Sequence, residues 1–323
     1  MTNYSIAILL LYMLTIASVF LTRFVTGNLG YYFAVLLSVI SFGLAGSRPS
    51  HFPDLGSYEV MFEVAAIGNF SDPSYWISHG EPLFKVFSFV ISYLGVEFSG
   101  FLLIIAGLSW YLLMLISRIA GVSFTYLWFA YFSFFFITRD MGVIRVAIAA
   151  HLIVIFFLLR GIFAQYLILI LSSLTFQYFS VVAVLAKVFA KFEINWVLIS
   201  ILLLLGPSIF LFFSYEDFSF LLAEETYRDY SSSISIQAGG SAALIPVIRN
   251  LIIATFIWYF YRNNLGNKQI RVWVWSAFFS LFFYVSLIDV LLLAQRFSAY
   301  FGAVVPLAMA FLMERKSHGN NNF

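Results

Sequence analysis

Four arginines, Arg139, Arg145, Arg249 and Arg296, stand at or just inside the ends of strongly apolar segments. A guanidinium stays charged when desolvated and grips a phosphate through two parallel hydrogen bonds. Placing one at a bilayer centre costs about 3 kcal/mol on insertion scales. Something must offset four such costs. An anionic ligand would do so, and a lipid pyrophosphate is a natural candidate. Pairing with Asp140, Asp289 and the loop carboxylates would do so too. On sequence alone both readings stand.

Other polar side chains gather in a few places. The segment from Ser47 to Phe84 carries Arg48, His51, Asp54, Tyr58, Trp76, His79 and Glu81. Aromatic rings stack on sugar faces, and carboxylates hydrogen-bond hydroxyls. The same residues also suit an aromatic belt at a membrane surface. Gln177, Tyr178 and Ser180 fall at the junction of two short apolar stretches, where polar groups fit a cavity. Tyr227, Arg228 and Tyr230 lie in a second polar loop that reads as a lid or a solvated connection. Arg296 and Tyr300 are one helical turn apart and share a face. His51 and His79 lack metal-ligand spacing and His151 stands alone, so no metal site is expected. No phosphate-binding loop or dinucleotide fingerprint occurs, so a nucleotide-sugar donor is not implied; no cofactor and no nucleic-acid partner is expected.

These residues need a scaffold, and composition restricts it. Of 323 residues 63% are hydrophobic and 10% charged, with a mean hydropathy of +0.98. Soluble domains carry roughly 25% charged residues. A water-soluble fold of this size has nowhere to hide so much apolar surface. Apolar stretches cover 4–22, 29–46, 98–117, 121–138, 142–159, 194–213, 243–261, 272–292 and 296–313, with a tight short pair at 162–174 and 175–190. The stretch 82–95 is short for a span and reads as re-entrant or interfacial. The expectation is one all-α polytopic membrane domain over 1–323, with ten or eleven transmembrane helices, a retained first helix and two long outer loops, 47–81 and 214–242. There is no cysteine, which excludes disulfides and thiolate metal sites.

Basic residues orient the chain. With the N-terminus outside and 82–95 not crossing, the inner side holds Arg23, Arg118, Arg160, Lys187, Lys191, Arg262, Lys268, Arg271, Arg315 and Lys316. These are ten of the 17 basic residues, joined only by Glu193 and Glu314 of the 15 acids. The reverse orientation breaks the positive-inside rule at nearly every loop. The outer side then keeps Arg48, Lys85, Arg139, Arg145, Arg228, Arg249 and Arg296, so the chemistry is expected there.

The order of these pieces resembles the Wzy-type polysaccharide polymerases, in particular the EpsG-like branch. Arg48, Asp54 and Tyr58 follow that family's arginine and Gly-x-Asp-Tyr-like segment, with Pro53 and Leu55 replacing the flanking glycine and tyrosine. Glu81-Pro82-Leu83-Phe84 matches its Glu-Pro-Gly-Phe-like helix start. Ile144-Arg145-Val146-Ala147-Ile148-Ala149 matches its Ile-Arg-x-x-Ile-Ala helix, and Arg296, Tyr300 and Phe301 its final Arg-x-x-x-Tyr-Phe. A family histidine would fall near Gln177, Tyr178 and Ser180, and none stands there.

The resemblance implies a helical membrane glycosyltransferase, GT-C-like, in the bacterial inner membrane with its active site facing the periplasm. It would join oligosaccharide repeat units held on undecaprenyl pyrophosphate, without metal or cofactor, beside a flippase and a chain-length regulator. In that scheme Arg145 and Arg296 stabilise the leaving pyrophosphate, and Asp54 or Glu81 accepts a proton or orients an arginine. Arg48, Tyr58, Arg139, Gln177, Tyr178, Tyr227, Arg228, Tyr230, Arg249 and Tyr300 bind substrate. A flippase for lipid-linked oligosaccharide would also want arginines, but at both leaflets and through the membrane depth. An O-antigen ligase or membrane acyltransferase is a further reading, kept open by His51 and His79.

Overall fold

In a bilayer an apolar segment must satisfy each backbone N–H and C=O from within, which favours helices. The computed structural model describes residues 3–24, 28–48, 55–72, 75–76, 81–175, 178–193, 199, 201, 241–287 and 291–318, and among them there is no strand. The helices are α1 (Asn3–Phe24), α2 (Leu29–Gly46), α3 (Leu55–Ile67), α4 (Pro82–Tyr93), α5 (Phe98–Ala120) and α6 (Phe124–Tyr131). A π-helical turn, Phe132–Phe136, and one more α-turn, Ile137–Arg139, extend α6. Beyond these lie α7 (Ile144–Leu158), α8 (Ile162–Thr175), a 3-10 segment (Tyr178–Ala183), α9 (Val184–Phe189), α10 (Ser241–Tyr261), α11 (Lys268–Ser286), α12 (Leu291–Gly302) and α13 (Val305–His318).

The chain is an all-α polytopic membrane protein. Among the described residues five stretches are long and apolar enough to cross a membrane: Ser5–Phe24, Leu29–Gly46, Phe98–Ala120, Leu244–Asn264 and Ala294–Glu314. Pro82–Tyr93, Ile144–Leu158, Ile162–Leu174 and Ser180–Phe189 are apolar but shorter. The apolar stretch at 194–213 and the loop 214–242 lie almost wholly outside the described residues. Large apolar side chains on α1, α8 and α10 are exposed, Leu10, Met13, Phe163, Ile245 and Ile252 among them. Lipid is the solvent that makes such faces stable.

The centre of the bundle is α7. Every residue from Val146 to Phe157 is buried, as expected of a helix that is apolar all round and enclosed by others. It packs against α5, α8 and α12. Around it α2 packs on α1 and α5, α6 on α13, and α11 on α10 and α12.

Two expectations change. The last apolar stretch, 296–313, is not one uninterrupted helix: a turn at Ala303 and Val304 separates α12 from α13. Pro306, in the first turn of α13, has no N–H for the carbonyl of Gly302. The first outer loop is partly helical. Leu55, Tyr58, Phe62 and Ala65 form the buried stripe of α3, which packs on α4. With 12 residues α4 is roughly 18 Å long, shorter than a hydrocarbon core of about 30 Å.

Candidate active site

The site begins at the corner between α6 and α7. A π-turn holds one extra residue and so rotates the residues after it about the helix axis. Here the N–H groups of Asp140 and Met141 both bond the carbonyl of Phe136, at 3.0 and 3.2 Å. Gly142 closes the corner: a Cβ there would stand 2.6 Å from the Thr138 carbonyl oxygen. Arg139 and Asp140 thereby leave the helix end in different directions, and both are buried.

Asp140 accepts hydrogen bonds from Ser109 Oγ on α5 and from the Tyr131 hydroxyl. His151 Nδ1 lies 3.3 Å from Ser109 Oγ. The carbonyls of Asp140 and Met141 accept from Arg48 Nη1 at 2.7 and 2.9 Å. Carbonyls at a helix end lack intrahelical donors and carry the negative end of its dipole, so a cation there is stabilising. Arg48 therefore ties the end of α2 to this corner. Asp140 thus accepts from two hydroxyls, with the Arg139 and Arg48 guanidiniums within electrostatic reach.

Arg145 sits in the first turn of α7, where the helix dipole disfavours a cation. Glu81 answers it with a largely buried ion pair. Glu81 occupies the N-cap position of α4 yet makes no capping bond; its carboxylate is given to Arg145. The guanidinium carbon lies 5.5 Å from the ring centroids of Tyr58 and Phe84, within cation–π range.

Beside this pair lies a cavity of about 270 Å³. Arg139 enters it from the corner, Arg249 and Asn250 from α10, and Gln295, Arg296 and Ser298 from α12. Ser280 and Tyr284 of α11 complete its polar wall, and Phe134, Phe135, Val143, Val146 and Ile253 are apolar lining. Arg139 donates to the Ala299 carbonyl at 2.6 Å and lies 3.7 Å over the Phe135 ring. Arg249 is within electrostatic reach of Arg139 and Tyr284. Arg296 Nε is buried without a hydrogen-bond partner. Among the described residues that line the cavity none is acidic.

Tyr300 joins the two regions. It is fully buried, one turn after Arg296, within electrostatic reach of Arg296, Glu81, Arg145 and Arg139. Of the expected site residues, then, Arg139, Arg249 and Arg296 share the cavity. Arg48, Tyr58, Glu81 and Arg145 lie outside its lining, with Tyr300 between. Asp54, Gln177, Tyr227, Arg228 and Tyr230, and the Tyr178 side chain, are outside the described residues.

Residues 31–322 match the EpsG family. The chain belongs to the EpsG family. This is a Wzy-like polysaccharide polymerase family, which places the chain among membrane enzymes of polysaccharide synthesis. No curated protein and no solved structure matches the chain. In this EpsG-family member the motifs at Glu81 and at Arg145 come together as an ion pair, although 64 residues separate them.

Sequence reasoning missed Asn250, Ser280, Tyr284 and Ser298 in the cavity, and the Ser109–Asp140–Tyr131 cluster. Their signal is weak, being single hydroxyls and one amide within apolar helices. His151, which stood alone in the sequence, has Ser109 beside it and Tyr131 at a ring distance of 5.0 Å. The aromatics of the first loop are partly used in its own packing: Tyr75 and Trp76 lie 5.4 and 5.6 Å from the Phe70 ring, and Lys85 donates to the Tyr75 carbonyl.

Proposed function

We propose that this protein joins oligosaccharide repeat units carried on undecaprenyl pyrophosphate, at the outer face of the bacterial inner membrane. The observation that carries the reading is the cavity, where three guanidiniums converge and no acidic side chain among the described lining residues neutralises them. Like charges held together in an apolar bundle call for an anion. Pyrophosphate meets that need, and arginine binds it in bidentate fashion.

In the reaction a sugar hydroxyl at the non-reducing end of one lipid-linked unit attacks the anomeric carbon of the growing chain. The bond from that carbon to the pyrophosphate oxygen breaks, and undecaprenyl pyrophosphate leaves with the bonding electrons. Arg139, Arg249 and Arg296 stabilise the charge that develops on it, the work a divalent cation does in metal-dependent transferases. The hydroxyl proton passes to a carboxylate of the first outer loop. Glu81 is occupied with Arg145, so that role falls to Asp54, immediately before α3. Arg145, held by Glu81 and reaching Tyr300, positions the cavity wall. Tyr178, Gln177, Tyr227, Arg228 and Tyr230 contact the sugar chain. A flippase delivers the units and a chain-length regulator acts alongside.

The test uses purified protein in liposomes, supplied with the lipid-linked oligosaccharide that accumulates in host cells lacking it and with no nucleotide sugar. A ladder of products that vanishes in Arg296→Ala and Arg249→Ala is expected. Ladders of wild-type length in both variants would overturn the scheme. No ladder, with labelled lipid crossing the liposome membrane, would make the protein a flippase.

A further inference from the structure

One wall of the cavity is polar without being charged, and its groups are built in. Asn250, Ser280, Tyr284 and Ser298 are each at least nine-tenths buried. Asn250 Nδ2 donates to Ser298 Oγ at 3.0 Å, and Ser280 Oγ lies 2.8 Å from the same oxygen and 3.0 Å from the Ser298 carbonyl. This network links α10, α11 and α12. Tyr284 is different: it lines the cavity, and its buried hydroxyl has no hydrogen-bond partner.

A buried hydroxyl left without a partner is disfavoured, and beside a cavity a bound ligand would satisfy it. Arg249 lies within electrostatic reach of Tyr284, so this wall adjoins the arginines directly. The volume of about 270 Å³ sits just below the usual range for small-molecule sites, roughly 300–1,000 Å³. That volume suits a charged head and the sugar attached to it.

We propose that Tyr284, Asn250, Ser280 and Ser298 form a subsite that reads the sugar bonded directly to the pyrophosphate, with the free Tyr284 hydroxyl bonding a sugar hydroxyl or amide oxygen. The proposal rests on the pyrophosphate reading of the arginines. It makes this wall, not the outer loops, the place where the enzyme selects its donor. A site built to hydrogen-bond a substrate group discriminates strongly against substrates that lack it.

The experiment measures binding of two lipids to purified protein: undecaprenyl pyrophosphate itself, and the lipid-linked oligosaccharide from host cells lacking the protein. Tyr284→Phe removes only an unpartnered oxygen, so its thermal unfolding midpoint is expected to match or exceed wild type. Its affinity for undecaprenyl pyrophosphate is expected to stay within twofold of wild type, and that for the sugar-bearing lipid to fall at least tenfold. Arg296→Ala should lose affinity for both. If Tyr284→Phe weakens both lipids equally, or neither, the sugar subsite is wrong while the arginine site stands. If wild type and Arg296→Ala bind undecaprenyl pyrophosphate alike, the pyrophosphate reading itself fails.

Discussion

Arg145 and Arg296 share a side chain and differ in surroundings. Arg145 is held by Glu81 beneath the rings of Tyr58 and Phe84, whereas Arg296 faces the cavity with Nε unpartnered. Breaking a buried pair from one side strands the other charge and costs about 3–5 kcal/mol. Glu81→Ala should therefore lower the unfolding midpoint in detergent sharply. The double variant Glu81→Met, Arg145→Met should recover much of that loss, because replacing both charges by apolar groups is often neutral. Equal damage in the single and double variants would show that a stranded arginine is not the source of the loss, since removing it restores nothing. Arg296→Ala should accumulate normally in membranes and lose chain growth at least 100-fold, the size of loss seen when one transition-state donor is removed. Assays of abundance and of product length separate these outcomes.

At the scale of elements the corner between α6 and α7 governs the site. Its π-turn and the tight approach at Gly142 decide where Arg139 points, and Arg48 fastens the end of α2 to it. A methyl at Gly142 meets backbone, not a flexible side chain, so the corner must shift. Gly142→Ala is expected to cut polymer synthesis roughly 100-fold, as an ångström of misplacement can, although residue 142 lies outside the cavity lining. Unchanged product ladders would mean that the corner tolerates a methyl and does not set Arg139. The first outer loop was legible as polar and aromatic, but its helix α3 was not. The apolar residues of α3 face α4, a partner that no local periodicity announces.

For the whole molecule the property to measure is direction across the membrane. The chain has no cysteine, so single introduced thiols report without background. Asn69 lies just beyond α3 and Asn263 just beyond α10; both are exposed. In intact cells with a permeable outer barrier, Asn69→Cys should react with a membrane-impermeant maleimide, and Asn263→Cys should react only after lysis. The reverse pattern would place the arginine cavity on the inner side and remove the basis for chemistry at the outer face.

Composition alone settled that this chain is a helical membrane protein, because 63% hydrophobic residues with 10% charged leave few other stable outcomes. Apolar run lengths placed α2 from Leu29 to Gly46 and brought α7 and α8 within a few residues of their ends, since a helix in lipid ends where its apolar run ends. Out-of-place arginines singled out Arg139, Arg249 and Arg296, because isolated charge in apolar sequence is costly wherever it finally sits. Tertiary structure alone decided which arginines share a cavity and which is paired. Glu81 meets Arg145, and Asn250 meets Ser298, through helix packing that joins residues 64 and 48 positions apart. Such distances depend on how whole helices turn against each other, and a one-dimensional pattern holds no record of that rotation.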